Sequence, residues 1–135
     1  MAGGVGVGGG VLVVEDDEDI RADLTAILRV KGFPVEEAAN GSEALARLRE
    51  GAAPCVMVLD LMMPVMNGWE LRQAMLADRR LAAIPVIVVS GKGRIADEEE
   101  RLLAPSAVLV KPFELSELLS LVARFCASAQ AAATR

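Results

Sequence analysis

Glu15 and Asp16 come directly after the apolar run VLVV at 11–14, Asp60 after CVMVL at 55–59, Ser90 after the run 84–89, and Lys111 after AVLV at 107–110. The polar group that ends each run is thus acid, acid, acid, hydroxyl and amine. Carboxylates crowded into one place repel each other unless a cation sits among them. Hard oxygen ligands that leave room for waters and an incoming phosphate oxygen are what Mg²⁺ prefers. Such an ion neutralises charge during phosphoryl transfer, and a lysine and a hydroxyl can hold the other phosphate oxygens. A carboxylate in that setting can itself be the nucleophile, giving an acyl phosphate. Chemistry alone therefore points to Mg²⁺-assisted phosphoryl transfer, with Asp60 as the foremost acceptor.

Each residue also has a plainer use. Asp17, Glu18 and Asp19 suit the solvated first turn of a helix, where the dipole favours acids. Asp60 alone could cap a turn, Ser90 could be a turn hydroxyl, and Lys111 a surface amine. Trp69 and the group Met57, Met62, Met63 and Met66 read as packing and loop filler. It is the five groups together that make a site, because surface decoration would not place them one per run end.

For the five to meet, the apolar runs must lie side by side. The runs at 11–14, 55–59, 84–89 and 107–110 are short and wholly apolar, as buried parallel strands are. PVEEA at 34–38 suits a strand nearer a sheet edge, where proline is tolerated. Ile20, Leu24, Ile27 and Leu28 trace one helix face that Gly32 ends. Further helices are expected at about 42–50, 68–77 and, more weakly, 94–103. Leu115, Leu118, Leu119, Val122, Phe125 and Cys126 make the strongest amphipathic stripe. Strict strand–helix alternation means an α/β fold, a doubly wound parallel sheet of five strands with helices on both faces. Ligands bind beyond the carboxyl ends of such strands, where all five groups fall. Residues 1–10 read as a flexible glycine-rich leader, 11–126 as one domain, and 127–135 as a frayed tail.

Composition narrows the function classes. A net charge of −5 with no basic stripe argues against direct nucleic-acid binding and against an anionic membrane surface. No apolar stretch approaches the ~20 residues that cross a bilayer. The chain has no histidine, which disfavours a serine triad and the usual zinc sites. Cys55 and Cys126 lack metal-ligand spacing and read as reduced core residues of a cytoplasmic protein. Phosphohydrolases with an aspartate nucleophile generally need a second acid two residues on. That position is Met62, so a binding module is expected rather than an enzyme.

The segments VLVVEDDEDIR (11–21), VMVLDLMMPVMNGWEL (56–71), PVIVVSGK (85–92) and VLVKPFELSEL (108–118) strongly resemble the response-regulator receiver domains of two-component systems. The resemblance covers about 11–126. It implies a flavodoxin-like (βα)5 fold with strand order 2-1-3-4-5 and Mg²⁺ as cofactor. Glu15 and Asp16 match the acid pair that binds the ion, Asp16 directly and Glu15 mostly through water. Asp60 matches the phosphoacceptor, itself a metal ligand, and the backbone carbonyl of Met62 a further ligand. Ser90 matches the hydroxyl that swings toward the phosphoryl group, and Lys111 the lysine that pairs with it. Pro112 matches a proline after a cis peptide bond, and Pro64 and Gly68 match the loop that shapes the acceptor's surroundings. The implied partners are a sensor histidine kinase or phosphotransfer protein and an unknown downstream protein target.

Departures from the pattern concern output. The switch position three before the lysine, usually aromatic, is Val108. The segment from Ser90 to Lys111 is about one residue short, and Pro105-Ser106 replaces the usual Gly-Ala. The intact rim favours a phosphorylatable receiver, stand-alone or part of a longer chain. The departures favour the alternative, a non-cycling pseudo-receiver that serves as an interaction scaffold.

Overall fold

The apolar runs do lie side by side. The computed structural model describes residues 9–63, 65–91 and 96–133. Of the expectations above, the leader at 1–8, Pro64 and the first two residues of the 94–103 helix lie outside the described residues. Strands β1 (Gly9–Val14), β2 (Val35–Ala38), β3 (Pro54–Asp60), β4 (Val86–Ser90) and β5 (Ala107–Val110) form one parallel sheet ordered β2-β1-β3-β4-β5. Between and after them come α1 (Glu18–Val30), α2 (Gly41–Arg49), α3 (Gly68–Leu76), α4 (Arg79–Ala82), α5 (Asp97–Leu103) and α6 (Leu115–Ala133). Val14 pairs with Leu59, Asp60 with Val89, and Ser90 with Val110. That register brings Glu15, Asp60, Ser90 and Lys111 to a single rim.

Successive strand side chains point to opposite faces, so each strand feeds two apolar layers. Leu12, Val14, Met57, Leu59, Val86 and Val88 pack with Leu45, Leu48, Leu71, Met75 and Leu103 of α2, α3 and α5. Val11, Val13, Val56, Val58, Ile87 and Val89 pack with Leu28 of α1 and with Leu118 and Val122 of α6. Both faces are covered, which is why the central strands show no polar alternation. The starts of α1, α2 and α3 are set by side-chain caps. Asp17 accepts from Ile20 N at 3.0 Å, Asn40 from Glu43 N at 2.8 Å, and Asn67 with Glu70 closes a capping box. Each such cap stabilises its helix by about 1 kcal/mol. Among the described residues no helix is long and apolar enough to cross a membrane.

Several boundaries differ from the expectations. Gly9 and Gly10 belong to β1, not to a leader; a Cβ on Gly10 would sit 1.9 Å from the Pro34 carbonyl oxygen, so only glycine lets β2's entry lie this close. The short α4 went unforeseen because four residues show no periodicity; Asp78 caps it and Leu81 fills the core. Residues 84 and 85 belong to the approach to β4, which starts at Val86. The weak helix is shorter than expected, Asp97–Leu103. In place of a frayed tail from 127, α6 continues to Ala133, through alanines, the best helix formers.

The cysteine expectation is overturned. Cys55 near the start of β3 and Cys126 on α6 form a disulfide, with Cα atoms 4.9 Å apart and a sequence separation of 71. α6 returns over the sheet, so its later turns reach the amino end of β3, a proximity that spacing along the chain conceals. Closing a loop of this length removes unfolded-state entropy worth about 4 kcal/mol in the chain-entropy model. Melting with and without a phosphine reductant should therefore differ by roughly 10 °C. The Cys126→Ser variant should melt like the reduced protein, and coincident oxidised and reduced melts would show that the bridge does not form in solution.

Candidate functional site

Glu15 is the first residue past β1 and Asp60 the last of β3. Both are buried, at 4% and 6% exposure, while Asp16 beside them is exposed. The two buried carboxylates are oriented by the same device. Glu15 Oε2 accepts from Asp17 N at 3.1 Å, and Asp60 Oδ1 accepts from Met62 N at 3.0 Å. In each case the N–H two residues on takes one oxygen, as in an Asx-type turn. The other oxygens, Glu15 Oε1 and Asp60 Oδ2, each lie 3.9 Å from Lys111 Nζ. Glu15, Asp16 and Asp60 each offer one oxygen within 4.8 Å of the others.

Ser90 is buried at the end of β4, and its carbonyl accepts from Lys111 N at 2.8 Å, which ties the hydroxyl-bearing strand end to the lysine-bearing one. The Lys111–Pro112 peptide is cis. Gly68 opens α3 hard against the acceptor: its N–H donates to Leu61 O at 3.1 Å, and an added Cβ would meet Leu61 Cα at 2.8 Å and Asp60 O at 3.0 Å. Gly41 seats α2 on the same loop, donating to Met66 O at 3.0 Å. Met62 is 47% exposed, whereas Met66 and Trp69 pack against the core. Val108 is half-buried in the layer that holds α2, α3 and α5, and takes no part in the rim. Beside the carboxylates a cavity of about 450 Å³ opens, bounded by α1 and by Pro112 and Phe113.

Arg21 is the residue that sequence reasoning passed over. Its Nη1 donates to the Glu15 carbonyl at 2.8 Å while Nε pairs with Glu37 at 3.2 Å, pinning the backbone of the acid pair from α1. The signal was present, since Arg21 closes the run EDDEDIR. A lone basic residue after five acids reads as simple charge balance.

The donor set suits a hard divalent cation. Among the described residues three carboxylates, two of them buried, face one ammonium, an excess of negative charge that oxygen-liganded ions neutralise. Burial pushes the Glu15 carboxyl up to about 7 from 4.5; the Asp17 N–H draws it down, Asp60 raises it by hydrogen bond and charge, and Lys111 lowers it. The folded state thus binds more protons than the unfolded chain across the window from 4.5 to about 7. Without divalent cations, Glu15's contribution to stability should be fully present below this window and be lost as pH rises through it, by up to about 3 kcal/mol. Urea melts in chelator from pH 4.5 to 8 check this, and Glu15→Gln should flatten the slope. A slope of opposite sign would contradict the assignment.

The family described as response regulator receiver domain matches residues 11–123. The transcriptional regulatory protein PrrA of Mycobacterium tuberculosis is 41% identical over 113 residues, 83% of this chain and 47% of that protein. The DNA-binding response regulator MtrA of Mycolicibacterium smegmatis is 34% identical over 113 residues, covering 83% of this chain and 48% of that one. The chain spans about half the length of these curated relatives. Among solved structures, the chemotaxis response regulator CheY4 of Vibrio cholerae aligns with a TM-score of 0.78 at 31% identity, over 87% of this chain and 98% of that one. The response regulator TrrA of Thermotoga maritima, solved in complex with Mg²⁺ and BeF, aligns with a TM-score of 0.75 at 25% identity, over 87% and 98%. With an acidic cluster on the carboxyl rim of a flavodoxin-like sheet ordered 2-1-3-4-5, this chain belongs to the response regulator receiver domains of two-component signalling.

Proposed function

We propose that the domain accepts a phosphoryl group on Asp60 and that a protein partner reads the change. One observation carries this reading: Glu15 and Asp60 each hold one oxygen in a backbone turn and turn the other toward Lys111, with Asp16 alongside. The donor is a phosphohistidine of a sensor histidine kinase or phosphotransfer protein. Its N–P bond breaks, an Asp60 Oδ–P bond forms, and the imidazole nitrogen keeps the electron pair. Glu15, Asp16, Asp60 and the Met62 carbonyl would hold Mg²⁺, which when bound supplies charge neutralisation at the phosphate oxygens. Lys111 holds a phosphoryl oxygen through its ammonium, and the Ser90 hydroxyl holds another. Gly68 and Pro112 shape the backbone that keeps these groups in place.

The chain assists its own phosphorylation and dephosphorylation rather than turning over a substrate, since Met62 stands where a general acid would be needed. The working unit is the sheet with its helices, 9–133, in the cytoplasm with its donor, and the target is a protein rather than nucleic acid or membrane. Val108 favours a second reading, an interaction scaffold that no longer cycles phosphate, because a half-buried valine cannot turn inward as an aromatic does. Treatment with a small acyl or amido phosphate separates the two. Intact mass should gain one acid-labile, Mg²⁺-dependent phosphoryl adduct that is lost in Asp60→Asn. An adduct that persists in that variant would sink the acceptor assignment, and none at all in the parent would favour the scaffold.

A further inference from the structure

Arg72 stands on the inward face of α3 at only 3% exposure, among leucines and methionines, where an apolar side chain would be expected. Burying a guanidinium costs free energy unless its donors find good acceptors. Two of its nitrogens find them on another helix. Nε donates to Leu103 O at 2.7 Å and Nη2 to Ala104 O at 3.1 Å, both at the carboxyl end of α5. The neighbouring Gln73 donates to Leu102 O at 3.2 Å. The last carbonyls of a helix lack partners within it and carry the negative end of its dipole. A cationic fork meets both needs at once. Nη1 has no partner among the described residues, a further cost that an apolar residue would avoid.

The clasp matters because α5 has little else to hold it. With seven residues it is too short to persist alone. Four consecutive acids, Asp97 to Glu100, crowd its first turn, and it ends on Ala104, a non-glycine residue in the left-handed region at φ 45°. Immediately after the clasp, Ser106 N–H donates to the Val86 carbonyl at 2.8 Å and its hydroxyl accepts from Val86 N–H at 3.2 Å. The carboxyl end of α5 is therefore anchored, while its amino end is the side connected to Ser90. On α3, Arg72 lies one turn beyond Gly68, which has no space between it and the Asp60–Leu61 backbone.

We propose that Arg72 is a positioning residue that makes α5 move with α3, so that a change at Asp60 reaches α5 through the acceptor loop and this clasp rather than through position 108. This rests on the phosphoacceptor reading above. The polar clasp supplies the mechanical link that Val108, stiff and short, does not.

The test compares backbone amide shifts with and without beryllofluoride plus Mg²⁺ in the parent, Arg72→Met, Arg72→Lys and Gln73→Ala. In the parent, residues 60–62, 68–73 and 97–104 should all respond. Arg72→Met should keep the response at 60–62 and lose that at 97–104 by about twofold or more, the low end of measured site couplings. Arg72→Lys keeps the charge without the two-carbonyl fork and should fall between, while Gln73→Ala removes one exposed carbonyl bond and should weaken the α5 response less than Arg72→Met does. A lower melting temperature with an undiminished α5 response would make Arg72 merely structural and overturn the proposal. If Arg72→Met does not fold, Arg72→Lys decides, and a parental α5 response there overturns it. Silence at 60–62 in the parent would sink the phosphoacceptor reading and the coupling with it. A response at 60–62 that Arg72 variants leave intact throughout α5 sinks the coupling alone.

Discussion

Among the described residues three carboxylates and one ammonium share the rim, and their mutual energies govern what the site will accept. Two like charges at 4.8 Å, the outer limit for these oxygens, repel by roughly 3 kcal/mol at an effective dielectric near 20. Lys111 offsets part of this, from 3.9 Å to two of the three. Burial adds the desolvation of Glu15 and Asp60, and this makes the fully ionised site costly. The molecule can relieve this by keeping a proton, which is what the raised Glu15 carboxyl amounts to, or by taking up a cation. Either way the rim is poised to bind positive charge.

Such strain would disperse if the groups could move apart, and the surrounding structure prevents that. Glu15 is held at its carboxylate by Asp17 N and at its carbonyl by Arg21, while Asp60 is held by Met62 N. Parallel register fixes the strand ends relative to each other, and two tightly seated glycines, Gly41 and Gly68, bring α2 and α3 down on the acceptor loop. The acids stay together because the backbone that carries them has no slack.

Much of this was legible in the residue order. Wholly apolar runs that end on acids, a hydroxyl and a lysine imply a two-sided parallel sheet with a polar rim, and the layers around Leu59 and Val58 are its direct expression. What stayed hidden depends on contacts between distant elements. The Cys55–Cys126 bridge needs knowledge of where α6 returns over β3. Arg21 and Arg72 look like ordinary helix charges until one knows that the first reaches a strand-end carbonyl and the second the end of another helix. Gly10 looks like part of a loose glycine run until β2's entry is seen pressed against it. Periodicity reports which face is apolar; it does not report which polar group crosses it.

The two helical layers are held in different ways, and that difference bears on where a signal at Asp60 can travel. The layer of α1 and α6 is cross-linked to β3 by a covalent bridge and filled by branched apolar side chains. On the other face, α5 is short, acidic at its start and secured at its end by arginine and glutamine side chains. Hydrogen bonds to carbonyls can be exchanged for others at modest net free energy, whereas a covalent link cannot be exchanged without redox chemistry. The compliant side of the sheet is therefore the one carrying α3 and α5. It is also the side on which Gly68 couples the helix array directly to the acceptor strand, so the easiest displacement and the shortest connection to Asp60 coincide.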